Sequence, residues 1–155
     1  MWGISIFPGS TNVEWTTTMD NVISACGVVC SDCGAFLASQ KGPAYQQEVA
    51  EAWHRIYGFK AEPATLTCAG CLSSDDQVFP SSVKCAARQC CRTKGLSNCA
   101  ECPEKTCQLL EKAQSNWESV PALEAKLSAS DFQRYAQPYC GYRERLESLR
   151  RDFCR

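Results

Sequence analysis

Residues Lys84–Leu110 read KCAARQCCRTKGLSNCAECPEKTCQLL and hold six of the chain's thirteen cysteines. Cys99, Cys102 and Cys107 stand in a C-x2-C-x4-C pattern, and Cys85 and Cys90 are five apart. Two thiolates separated by two residues can grip one ion from a single tight turn. A chain punctuated by such turns draws part of its stability from a clamp as well as from its apolar core. Upstream, Cys68-Ala-Gly-Cys71 repeats the knuckle, and Cys26, Cys30 and Cys33 read C-x3-C-x2-C. Gly27 and Gly34 in that first cluster permit a tight turn.

Around the cysteines the pattern is helical. A short helix is expected over Ala35–Gln40. A clearer one starts at Pro43, suited to the first helical position. It carries Tyr45, Val49, Trp53, Ile56 and Tyr57 on one face and ends at Gly58. Ser81 or Ser82 can cap a helix running to about Lys94, which Gly95 stops. Pro103, with Glu104 in the first turn, predicts a helix whose apolar side is Leu109, Leu110 and Ala113. Pro121 predicts a short helix through Leu127, and Ser130 with Gln133 predicts a capping box for the next. The last helix is expected from Tyr142, with Leu146, Leu149 and Phe153 inward. Alternation is weak and confined to Ile4 and Ile6. The fold expected is mainly α: a small irregular metal-stabilised helical domain with cysteine knuckles on turns. Its organisation reads as an N-terminal arm (1–25), a cysteine-rich metal-binding segment (26–113) and C-terminal helices (114–155) packing on the same domain.

The chain's 155 residues match one ordinary domain. Sixteen basic and seventeen acidic residues leave a formal charge of -1, which gives no electrostatic case for nucleic acid or an anionic membrane. No apolar run approaches a membrane span, and residues 1–20 lack the form of a signal peptide. The expected location is cytoplasmic, where thiols stay reduced.

Thirteen is an odd number, and disulfide scaffolds usually carry an even one on a shorter chain. The C-x2-C pairs favour metal. One or two zinc ions are expected, held mainly by cysteine sulfur. Cys68/Cys71 and Cys99/Cys102 are the firmest ligands, because each pair sits on a turn containing small residues. Cys102 precedes the expected helix start, where the dipole favours thiolate. On one continuous helix Cys85 and Cys90 lie about 140° apart. They share an ion only if the helix begins after Cys85, and otherwise serve different sites. Cys91 reads as a core thiol, and Cys140 and Cys154 as free buried thiols. Lys84, Arg88, Arg92, Lys94 and Lys105 either donate to the sulfurs or form a solvated helix face. Asp75 and Asp76 read as a solvated turn, and His54 as a helical histidine rather than a ligand.

Iron–sulfur is the alternative, as a [4Fe–4S] cluster. Cys26, Cys30 and Cys33 have the spacing by which radical S-adenosylmethionine enzymes hold one, but this chain has neither the length nor the alternating strands of their barrel. The ferredoxin run is absent. No Ser-His-Asp set, phosphate-binding glycine loop or H-E-x-x-H occurs, so no catalytic constellation is identified.

Three stretches together resemble one family. CGVVCSDCGAFLA (Cys26–Ala38), CAGC (Cys68–Cys71) and above all Lys84–Leu110 are similar to a cysteine-rich bacterial and archaeal family, domain of unknown function 3795. The resemblance covers Cys26 to about Lys112. It implies a shared set of Cys26, Cys30, Cys33, Cys68, Cys71, Cys85, Cys90, Cys99, Cys102 and Cys107. That family has no established activity, so the resemblance implies metal binding alone. The expected function is a zinc-binding protein with a structural metal, a protein-interaction or regulatory module. An iron–sulfur redox protein or metal-dependent enzyme is the alternative.

Overall fold

Gly42 adopts φ +88° and lets two helices follow each other without a linker: α1 (Gly34–Lys41) and α2 (Pro43–Tyr57), with Pro43 in the first turn of the second. The computed structural model describes residues 21–154. The two helices approach closely because α1 presents small residues. Ala35 and Ala38 are buried against Val49, Ala50 and Trp53 of α2. A Cβ on Gly34 would meet Val49 Cγ1 at 2.8 Å and the Trp53 ring at 3.2 Å. Trp53 packs edge-on to Phe79 at 5.7 Å, a geometry that the ring quadrupoles favour.

Four further helices follow: α3 (Ala86–Lys94), α4 (Gln108–Ser115), α5 (Ala129–Tyr135) and α6 (Tyr142–Phe153). Among the described residues the only strand-like pairing is an antiparallel bridge between Ile23 and Val29, so the mainly helical reading holds. The expected alternation at Ile4 and Ile6 lies outside the described residues.

Two apolar clusters of unequal weight hold these elements. The larger joins α1 and α2 to Val28, Leu66, Val120, Tyr135, Ala136 and Tyr139, with Trp117 stacked on Tyr139 at 4.8 Å. Burying a Val or Leu side chain contributes about 1.5–3 kcal/mol, and Val49 and Leu66 are fully buried. The smaller, under α3 and α4, consists of Ala25, Ala87, Ala113 and Cys91. Three methyl side chains and a thiol supply little hydrophobic energy at about 0.8 kcal/mol per buried carbon. The second half of the cysteine-rich segment is therefore the part that most needs another source of cohesion.

Polar bonds tie the C-terminal helices to the cysteine loops. Arg145 Nη1 on α6 donates to Gly27 O at 2.5 Å. Arg150 Nη2 donates to Cys99 O at 3.3 Å, and the Val29 N–H donates to Pro138 O at 3.0 Å.

Several helix boundaries differ from the sequence expectation. Residues Pro80–Ser82 make only a 3-10 turn, and α3 starts at Ala86 because Cys85 is extended at ψ 115°. The helix expected from Pro103 starts at Gln108. Cys102, preceding the proline, is pushed to ψ 133°, and Cys107 takes the capping position. Val120–Ala125 is a 3-10 turn with Pro121 near its start. Ser128, not Ser130, caps α5, its Oγ accepting from the Asp131 N–H at 3.1 Å. On α6, Leu146 is buried as expected, but Phe153 is exposed. Among the described residues no helix is long and apolar enough to cross a membrane.

Candidate metal centre

Cys30 opens a 3-10 turn (Cys30–Asp32) that delivers Cys33 to the N-cap of α1. The Cys68–Cys71 knuckle docks on the same helix. Ser39 Oγ of α1 accepts from the Cys68 N–H at 2.6 Å and lies 3.2 Å from the Cys68 carbonyl. Gly70 takes φ +107° inside the knuckle, and its N–H donates to Cys68 Sγ at 3.4 Å. The positive φ needed to aim that N–H at sulfur is a reason for glycine at this position.

The result is a neighbourhood of four thiols from two segments 38 residues apart in sequence, counted from Cys30 to Cys68. Burial pushes the Cys30 thiol far up, and the charges of Cys71, Cys33 and Cys68 push it further, against a lowering contribution from the Cys71 N–H. Burial also raises Cys33. Tyr139, whose hydroxyl lies 3.1 Å from Cys33 Sγ, and the N–H groups of Ala35 and Phe36 oppose that rise. Cys71 is pushed up to about 11, first by burial and then by Cys26 and Cys85. Cys30, Cys33 and Cys71, each raised first by burial, resist ionisation in this setting, and a cation placed among them reverses that preference.

A second group stands on α3 and the segment leading to α4. Cys90, Cys91, Cys99, Cys102 and Cys107 line a cavity of about 380 Å³. Asn98 Oδ1 caps the Cys99–Glu101 turn by accepting from the Ala100 N–H at 3.0 Å. The Cys99 N–H donates to Ala25 O at 3.0 Å, anchoring this group to the first loop. Cys91 Sγ lies 3.6 Å from Cys99 Sγ, and Lys94 Nζ donates to Cys102 Sγ at 3.7 Å. Burial raises Cys99 strongly, with Cys91, Cys107 and Cys26 adding to it.

Of the ten cysteines expected as ligands, Cys33, Cys68 and Cys71 all act electrostatically on Cys30, and Cys90, Cys99, Cys102 and Cys107 line one cavity. Cys26 lies between the two groups, acting on both Cys71 and Cys99. Cys85 acts on Cys71, whereas Cys90 acts on Cys91 and Lys94. The helix does begin after Cys85, yet its two cysteines face different groups. Among the described residues no three His, Cys, Asp or Glu side chains are drawn together at the spacing of a bound ion.

Four sequence readings need correction. Cys107, not Cys102, precedes the helix. Cys154 is exposed rather than buried. Arg88 neither reaches a sulfur nor faces solvent. It is fully buried and donates to Cys71 O at 2.5 Å, Ser73 O at 2.6 Å and Asp75 Oδ1 at 2.8 Å. Asp75 also takes Arg92 at 2.8 Å, so it is the loop's ionic anchor rather than a merely solvated residue. His54 is exposed on α2.

The family model described as a protein of unknown function, DUF3795, matches residues 22–112. The chain belongs to this family. The DUF3795 segment takes in both cysteine groups and stops within α4, leaving α5 and α6 outside the match. Neither the curated proteins nor the solved structures yield a match to the chain.

Proposed function

We propose that this chain is a zinc-binding module in which Cys30, Cys33, Cys68 and Cys71 hold a structural ion. What supports the reading is that Cys33, Cys68 and Cys71 all act on the buried Cys30 thiol, with the α1 N-cap placing Cys33 and the Ser39-docked knuckle placing Cys68 on the same helix. The donor set fits zinc, since four thiolates complete a tetrahedron and leave no position for a reacting water. The Gly70 N–H on Cys68 Sγ supplies the hydrogen bonding that orients and tempers thiolate ligands. The role that follows is a protein-interaction or regulatory module in the reducing cytoplasm. Balanced charge supports a protein partner over nucleic acid.

Elemental analysis of protein purified without oxygen tests this. At least one zinc per chain is expected, with loss of that zinc in Cys30→Ser and Cys68→Ser. Zinc-free protein, or zinc retained in both variants, overturns the assignment.

A further inference from the structure

The two cysteine groups differ in more than position. A single zinc draws four sulfurs to about 2.3 Å from one point, and the space it occupies is that of one atom. The cavity among Cys90, Cys91, Cys99, Cys102 and Cys107 is about 380 Å³, far above the ~10–15 Å³ that suffices for one water-sized occupant. A second cavity, about 350 Å³, has Cys71 as its sole cysteine. Of these two cavities, the one at the second group is ringed by thiols.

The rim of that cavity carries donors as well as thiols. Lys94 Nζ already donates to a sulfur, Cys102 Sγ. Arg150, which lines the cavity from α6, has its Nη2 on Cys99 O. Its Nε is buried and finds no hydrogen-bond acceptor among the described residues. A buried donor of a charged group without a partner is costly, so an acceptor on the cavity side would relieve it. An occupant is therefore polynuclear in size, bound by several thiolates spread around it, and anionic with acceptor atoms at its surface. Sulfide-bridged iron answers each requirement: cysteine thiolates hold it, its net charge with four thiolates is negative, and its sulfurs accept hydrogen bonds that set its potential.

We infer that the cavity lined by Cys90, Cys91, Cys99, Cys102 and Cys107 is the site of an iron–sulfur cluster, separate from the zinc site at Cys30, Cys33, Cys68 and Cys71. Thiolates from this group hold the cluster, and Lys94 and Arg150 act on it as hydrogen-bond donors. The two centres stand independently, so either can fail without the other.

Iron, acid-labile sulfide and zinc are measured on the full chain purified without oxygen, together with its visible spectrum. Brown protein with iron and sulfide in equal amounts is expected. Cys102→Ala should lose both and keep its zinc, while Cys68→Ala should lose zinc and keep iron and sulfide. Should Cys102→Ala fail to fold, the response of the cluster to Arg150→Gln decides whether it sits here. Arg150→Gln, which retains the stem of the side chain, gives a second readout. A cluster there should show a shifted reduction potential, or faster bleaching in air, at unchanged helical circular dichroism. Colourless protein without sulfide, zinc in place of iron at this group, or a cluster indifferent to both Cys102→Ala and Arg150→Gln would overturn the assignment.

Discussion

Arg88 Nε donates to the carbonyl oxygen of Cys71 at 2.5 Å, across the gap between α3 and the knuckle loop. One guanidinium thereby holds the knuckle loop through the carbonyls of Cys71 and Ser73 and the Asp75 carboxylate, in a region with little apolar burial. The planar fork of arginine suits this task, because its donors are already spread in the directions required.

Arg88→Ala should lower unfolding free energy by about 1–3 kcal/mol, the cost of leaving the part-buried carbonyls of Cys71 and Ser73 without their donor. Arg88→Lys should recover little, since a single ammonium cannot reach Cys71 O, Ser73 O and Asp75 together. Urea unfolding of the three proteins checks this. A loss below about 0.5 kcal/mol for Arg88→Ala, the range of an ordinary surface change, would contradict the clamp.

Asp75 gives the same network a pH signature. The hydrogen bond from Arg88 is the main cause holding its carboxyl below the usual range; desolvation opposes it, and the charges of Arg88 and Arg92 add to the lowering. A folded-state value below the unfolded one means the contribution is present above the unfolded pKa of about 3.9. It is lost as pH falls through the lower folded value. Stability should therefore drop more steeply below about pH 4 in the native protein than in Asp75→Asn. Superimposable acid limbs in the two proteins would remove Asp75 from the network.

Gly27 fixes the seat of α6 on the first cysteine loop. Its φ is +101°, and a Cβ there would lie 2.4 Å from Tyr142 O and 2.9 Å from Leu146 Cγ. Backbone oxygen cannot step aside as a flexible side chain can. Gly27→Ala should thus cost clearly more than the about 1–2 kcal/mol of left-handed strain alone. Gly58→Ala, at φ +68° with open space around it, should cost only the left-handed strain of about 1–2 kcal/mol. Thermal unfolding of both variants tests the order, and an equal or reversed order would place the α6 contact elsewhere.

What was legible in the sequence was local. The Pro43 start and Gly58 stop of α2 and the inward Val49 and Trp53 followed from spacing and terminal chemistry, and both held. Boundaries next to cysteines failed, because there tertiary ties outweigh propensity. Cys85 stays extended while the buried Arg88 one turn on is bound to the Cys71 loop, and Pro103 does not start a helix that Cys107 caps four residues later. The division of the cysteines was left open by the sequence. It allowed Cys85 and Cys90 to share an ion if the helix began after Cys85, which it does, yet Cys85 acts on Cys71 and Cys90 on Cys91, since which sulfur meets which is set by how the knuckles dock. Ser39 and Arg88, the residues that dock them, carry no motif. Their only sequence signal is position, a serine one turn inside α1 and an arginine on the α3 face that also carries Cys91 and Cys85.

Cysteine variants should separate ligands from bystanders. Cys154 is exposed near the end of α6, so Cys154→Ser should change stability by less than about 0.5 kcal/mol and leave metal content unchanged. It should also be the first thiol that a water-soluble alkylating reagent modifies. Cys71→Ser replaces a proposed ligand on the knuckle that Arg88 and Ser39 hold in place. Serine oxygen at neutral pH stays protonated and is a poor substitute for thiolate. Metal binding is coupled to folding, so the loss appears as stability as well as stoichiometry. Cys102→Ser should behave alike at the second group, where three alanines and a thiol give the fold little else to rely on. Melting temperature and metal content are read on the same samples. The expected order is Cys154→Ser near the native protein, with Cys71→Ser and Cys102→Ser far below it and each short of metal. Three equal melting temperatures at native metal content would show that neither knuckle holds an ion.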